Sequence, residues 1–138
     1  MRYMMIIKAN PDYEAGRPPN PALVAAMGAL SEEMMRAGVV ESVGGLFPSA
    51  KGMRLAYSQG RRSLVDGPFA ETKELIGGFA IVNAASRDHA VELANQVLEV
   101  HVAAGVTDFA MEIRPMFDGA IPDCSKMNVI PTPMEELS

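Results

Sequence analysis

The chain has one cysteine, Cys124, two histidines, and aromatic residues at only 6% of its 138 positions. A single thiol cannot build a disulfide framework, and alone it cannot build a zinc site. No basic run appears and the net charge is −5, so the electrostatic footprint of a nucleic-acid or anionic-membrane binder is missing. The longest early apolar run, Tyr3 to Ile7, is too short for a signal-peptide core or a membrane span. A cytoplasmic protein without nucleic-acid or membrane partners is expected. The sequence carries no phosphate loop, zinc spacing, catalytic Ser–His–Asp order or dinucleotide fingerprint. No metal or cofactor is therefore expected.

Apolar residues make up 49% of the chain and charged residues 21%, a globular composition of single-domain length. The eleven methionines read as adaptable core filler. Residues 3–8 form an apolar run that reads as a strand buried on both faces. Prolines and Gly16 mark residues 10–21 as a loop. Asn20-Pro21 then supplies a helix cap followed by proline at the first helical position, and Gly38 supplies the C-terminal stop. Leu23, Met27, Leu30 and Met34 recur at helical spacing between them, giving a helix over 21–37.

A strand at 39–46 follows, then alternation over 53–57 and 62–66 that predicts a half-buried hairpin. Gly77-Gly78 leads into a strand at 79–83. Ser86 caps a second helix with Ala90, Ala94, Val97 and His101 in one stripe. Residues 109–114 alternate again and stop at Pro115. Without the inserted hairpin the order is β-α-β-β-α-β, the ferredoxin-like α+β plan. Two helices would cover one sheet face, and nothing in the chain covers the other. A homodimer with facing sheets is the simplest solution.

The densest stretch is Asp66-Gly-Pro-Phe-Ala-Glu-Thr-Lys-Glu74. Gly67 and Pro68 impose a sharp turn directly after an apolar strand. Asp66 is the leading catalytic candidate. A turn aspartate ordinarily accepts the N–H two residues on, and here that residue is Pro68, which has none. The other reading of Asp66 is a structural turn acid. Phe69 is either a wall facing a ligand or a buried loop anchor. Glu71 and Lys73 are either a solvated charge run or side chains held toward a substrate, with Lys73 offering charge to an anion. His101 suits acid–base work near neutrality, or sits favourably at a helix C-terminus. Arg54 and Arg114 share strand faces with small residues, where they would bind an anion or join an ion-pair network with Glu112.

The 66–74 stretch followed by Gly77-Gly78-Phe79 resembles the signature of the DGPF branch of the YCII-related proteins. The opening residues 1–9, Glu14-Ala-Gly16, Gly45-Leu-Phe-Pro-Ser-Ala-Lys-Gly52 and Glu112-Ile-Arg-Pro115 are similar to it too. The resemblance covers about residues 1–118 and implies a dimeric α/β-barrel. The wider superfamily includes muconolactone isomerases, small monooxygenases and dehalogenating enzymes that hold a small organic ligand between sheet and helices. It implies a small-molecule pocket here, with isomerase or lyase chemistry on a small polar or aromatic compound. It also implies an alternative, a non-enzymatic regulator or sensor partnered with an extracytoplasmic-function sigma factor.

Two departures limit the transfer. One branch resembles an acid–base enzyme through a His–Asp pair near the first helix, whereas this chain has no histidine before His89. Related sequences often carry His where this chain has Phe47. Residues 119–138 match nothing comparable. They combine three prolines with Ile121, Met127, Val129, Ile130, Met134 and Leu137. Such a tail is either frayed or extended along the dimer partner.

Overall fold

The computed structural model describes residues 1–71 and 74–117. Ten elements follow one another: β1 (Arg2–Lys8), α1 (Pro11–Glu14), α2 (Pro21–Arg36), β2 (Val40–Gly45), a 3₁₀ turn (Ser49–Lys51), β3 (Met53–Ser58), β4 (Arg61–Asp66), β5 (Ile76–Asn83), α3 (Arg87–Ala103) and β6 (Met111–Pro115). Four strands form a sheet in the order β2-β5-β1-β6, with every neighbouring pair antiparallel. Strands β3 and β4 form a separate two-stranded arm. With the arm set aside, the sheet order and the two long helices are compatible with a ferredoxin-like α+β fold.

The first long helix starts and stops where its local signals place it. The Asn20 side-chain oxygen accepts from the Ala22 N–H at 2.9 Å, and Pro21 opens the helix. Gly38, at φ 77°, takes the left-handed turn that ends it. The Asn20 amide also donates to the Ala104 carbonyl at 3.1 Å, tying the start of α2 to the end of α3. Ser86 caps α3 through the His89 N–H at 3.1 Å, while His89 Nδ1 accepts from the Ala85 N–H at 2.9 Å. His89 is half-buried, with its backbone N–H and its Nδ1 both bonded.

The core lies between the helices and one sheet face. Tyr3, Met5, Met34, Val40, Val82, Ala84, Ala90, Leu93, Ala94 and Val97 are buried together. Met4 and Ile6 point to the other face, opposite Ile81 and Phe79 across the β1–β5 ladder. Gly44 lies beside Phe79 on that face. A Cβ at position 44 would meet the Phe79 ring at 2.6 Å, so the ring lies across the bare glycine.

Four expectations need correction. Residues 10–21 are not all loop: Pro11 sits at the first helical position, where its missing N–H costs nothing, and Asn10 caps the turn. Strand β5 begins at Ile76 and runs through Gly77-Gly78, because pairing with β1 and β2 overrides their weak strand preference. β6 begins at Met111, so Phe109 precedes the strand. The arm is not half-buried, for all twelve of its strand residues are exposed. Alternation correctly gave its period, but nothing within the described chain covers its apolar face. Among the described residues, no helix is long and apolar enough to cross a membrane.

Candidate functional site

Three segments far apart in sequence meet around Ser49. The capped turn of α1 delivers Glu14, whose carboxylate accepts from the Ser49 N–H at 2.9 Å and from the Ser49 hydroxyl at 2.5 Å. The same hydroxyl oxygen accepts from the Phe69 N–H at 3.0 Å. The Gly67 N–H donates to the Gly52 carbonyl at 2.9 Å, closing the Asp66 loop onto the 3₁₀ turn. Only glycine fits at position 67, because a Cβ there would lie 1.8 Å from the Ser49 carbonyl oxygen. The Gly67–Pro68 peptide is cis.

Phe69 does two jobs at this junction. Its N–H holds Ser49, and its half-buried ring carries the Arg54 guanidinium at 4.1 Å from the centroid. Flanking Ser49 in sequence, Lys51 lies 4.9 Å over the exposed Phe47 ring. The result is a carboxylate, a hydroxyl, a cation and an aromatic wall held by short, local elements. A hydroxyl whose proton is held by a carboxylate can relay a proton between that carboxylate and a bound compound. Arg54 can receive negative charge.

The structure brings Arg54 and Phe69 together and disperses the other candidates. Asp66 ends β4 opposite Met53, whereas Arg54 is opposite Val65, so the two side chains leave opposite faces of the arm. Glu71 is exposed, its carbonyl accepting from the Glu74 N–H at 2.9 Å. Lys73 lies outside the described residues. Arg114 sits on the open sheet face opposite Met4, 3.9 Å from Glu112. Glu112 in turn pairs with Lys8 at 2.6 Å. Its carboxyl is held below the usual range, chiefly by the hydrogen bond from Lys8 and then by the Lys8 charge; burial opposes them, and the Arg114 charge adds the smallest lowering.

His101 belongs to the helix side of the sheet. Its Nδ1–H donates to the Val97 carbonyl at 2.8 Å, and its ring packs on Phe109 with centroids 4.3 Å apart. Among the described residues, no hydrogen bond or ring contact joins it to the Asp66 loop. Nor could any group of three or more His, Cys, Asp or Glu side chains among those residues hold a metal ion.

Glu14 and Ser49 were not singled out as site residues by sequence reasoning. Their segments, Glu14-Ala-Gly16 and Phe47-Pro-Ser49, stood out only as stretches of resemblance. Their convergence at one hydroxyl gives those stretches a shared physical purpose. Residues 1–114 match the YCII-related domain. The chain belongs to the YCII-related family. It is also similar to the uncharacterized protein R00369 of Rhizobium meliloti (strain 1021), at 32% identity over 90 residues, covering 65% of this chain and 69% of that protein.

Proposed function

We propose that this YCII-related protein binds a small polar or aromatic compound beside the Asp66 loop and performs acid–base chemistry of the isomerase or lyase type on it. The observation that carries the reading is the Ser49 hydroxyl, bonded at once to the Glu14 carboxylate and the Phe69 N–H. In this reading Glu14 and Ser49 move the proton, Arg54 receives the developing negative charge, and Phe69 forms the wall. Asp66, Glu71, Lys73 and Arg114 remain candidates for contacts made in the assembled protein, with His101 as a second acid–base group. The reaction needs no cofactor, since the sequence carries no cofactor-binding motif. In this proposal the chain belongs to the DGPF branch of the family and is cytoplasmic.

The assembly in this proposal is a homodimer closing a dimeric α/β-barrel through the open sheet face. Met4 and Phe79 on that face are half-exposed, which supports the pairing. The alternative is a non-enzymatic partner of an extracytoplasmic-function sigma factor. The 77% exposure of Phe47 favours it, because a large exposed aromatic beside a cation suits a protein surface.

A thermal-shift screen of small carboxylic acids, phenols and lactones tests the ligand reading. A compound should raise the melting temperature of the wild type and do so less for Glu14→Gln, Phe69→Ala and Arg54→Ala. Asp66→Asn, run beside them, tells whether the turn acid belongs to the same site. A panel that shifts nothing, or shifts all variants equally, overturns the reading.

A further inference from the structure

We infer that the apolar face of the β3–β4 arm is a self-complementary contact joining two copies of this chain, with Arg62 of each copy paired to Asp66 of the partner subunit. The arm has two faces set by its register. One carries Arg54, Ala56, Ser58, Arg61, Ser63 and Val65, and Arg54 lies on Phe69. The other carries Met53, Leu55 and Tyr57 on β3, opposite Asp66, Leu64 and Arg62 on β4. On this second face Leu55 is 73% exposed, Tyr57 71%, Met53 65% and Leu64 64%. An isolated two-stranded hairpin is marginal in water and needs a layer against its apolar side. The arm is a fixed part of the fold, so its cover must be present whenever the protein is. A second copy meets that condition, and the order of charges on the face favours it over the chain's own residues 118–138.

The order of residues on this face matches its own reverse. Along β4 it reads Arg62, Leu64, Asp66. A two-fold axis lying in the contact plane along the Leu55–Leu64 pair would stack each strand on its own copy with direction reversed. Leu64 then meets Leu64 of the partner subunit, and Arg62 meets Asp66 of the partner subunit at both ends. On β3, Leu55 lies on the axis and apolar Met53 and Tyr57 exchange places. Neither Arg62 nor Asp66 has an ion-pair partner among the described residues. Four strand positions separate them within one chain, roughly 13 Å, too far to pair directly. Residues 42–65 contain Lys51, Arg54, Arg61 and Arg62 and no acid. Among the described residues, the acid that this pairing sets opposite Arg62 is the Asp66 of another copy. Two such arms face to face make a two-layer sandwich at the usual spacing of about 10 Å.

The inference shares with the function proposed above only the existence of a second copy. Cysteine cross-linking on the full chain carrying Cys124→Ser tests the geometry. Leu64→Cys lies on the axis and should give a covalent dimer with a short bis-maleimide linker, because thiols projecting from layers about 10 Å apart are too far apart for a direct disulfide. Ser63→Cys, on the opposite face, should not. Sedimentation then tests the charges. Arg62→Glu and Asp66→Arg should each raise the dissociation constant about tenfold or more. The double swap Arg62→Glu, Asp66→Arg should return it to near the wild-type value, a rescue that general destabilisation cannot produce. Absence of the Leu64→Cys cross-link, equal cross-linking at position 63, or no rescue overturns the arm contact alone if the wild type is still a dimer. A wild type that stays monomeric at high micromolar concentration overturns the arm contact and the homodimer together, leaving the ligand reading to its own screen.

Discussion

The backbone N–H of Phe69 donates to the Ser49 hydroxyl oxygen at 3.0 Å, across twenty residues of sequence. The bond makes the Asp66 loop a dependent of the 3₁₀ turn, and Glu14 holds that turn from the other side. An arrangement of this kind transmits the loss of any one member to the others.

Ser49→Ala should therefore destabilise the protein by about 1–3 kcal/mol, because it leaves a half-buried N–H and a carboxylate oxygen without their partner. Glu14→Gln should cost less than Glu14→Ala, since the amide oxygen can still accept one bond. Combining Ser49→Ala with Glu14→Ala should cost clearly less than the sum of the two singles. Urea denaturation checks all of these, and strict additivity would show that the two residues act separately.

Gly67→Ala tests the same junction by steric means. Its Cβ would collide with the Ser49 carbonyl, a backbone atom that cannot swing aside. A cost of about 1–3 kcal/mol is expected, as for other overpacked positions. Gly45→Ala is the control, since a Cβ there meets nothing within 4 Å and the backbone angle is ordinary. It should change stability by less than about 0.5 kcal/mol.

The elements legible in the sequence are those whose signals are local. Asn20-Pro21 and Gly38 bracket α2 because caps act on adjacent backbone groups. The arm's register follows from its alternation, but exposure does not, because period says which side chains share a face and not what covers that face. Asp66 drew notice as a turn acid whose usual partner is a proline. The Glu14–Ser49 bond stayed hidden because it spans 35 residues and joins two types common in loops. His101 read as a helix-stripe histidine open to two roles. Its bond to Val97 and its ring contact with Phe109 depend on how the chain returns to the sheet after α3.

Glu112 gives the pH dependence a sign. Its carboxyl titrates lower in the folded chain than in the unfolded one, chiefly through Lys8. Folding therefore gains from its ionisation above the unfolded value of about 4.3, and loses that gain as pH falls through the lower folded value. Glu112→Gln should lower the melting temperature at neutral pH and flatten its fall in acid. The wild-type and variant curves should converge below the ordinary carboxylate range. Curves that stay parallel throughout would show that the Lys8 pair has no part in acid unfolding.

The last prediction concerns residues 119–138, which lie outside the described residues. Their three prolines rule out one long helix, yet Ile121, Met127, Val129, Ile130, Met134 and Leu137 are too apolar for a solvated linker. Removing them should lower the melting temperature and weaken self-association. Burial of four such side chains contributes about 1.5–3 kcal/mol each before the cost of ordering the chain. Self-association separates two placements. If the tail lies on the partner, truncation after Asp118 should raise the dimer dissociation constant more than it lowers monomer stability. If it lies on its own domain, the melting temperature should fall while the dissociation constant holds. A truncated chain with both values unchanged would show that these residues contribute nothing to the fold.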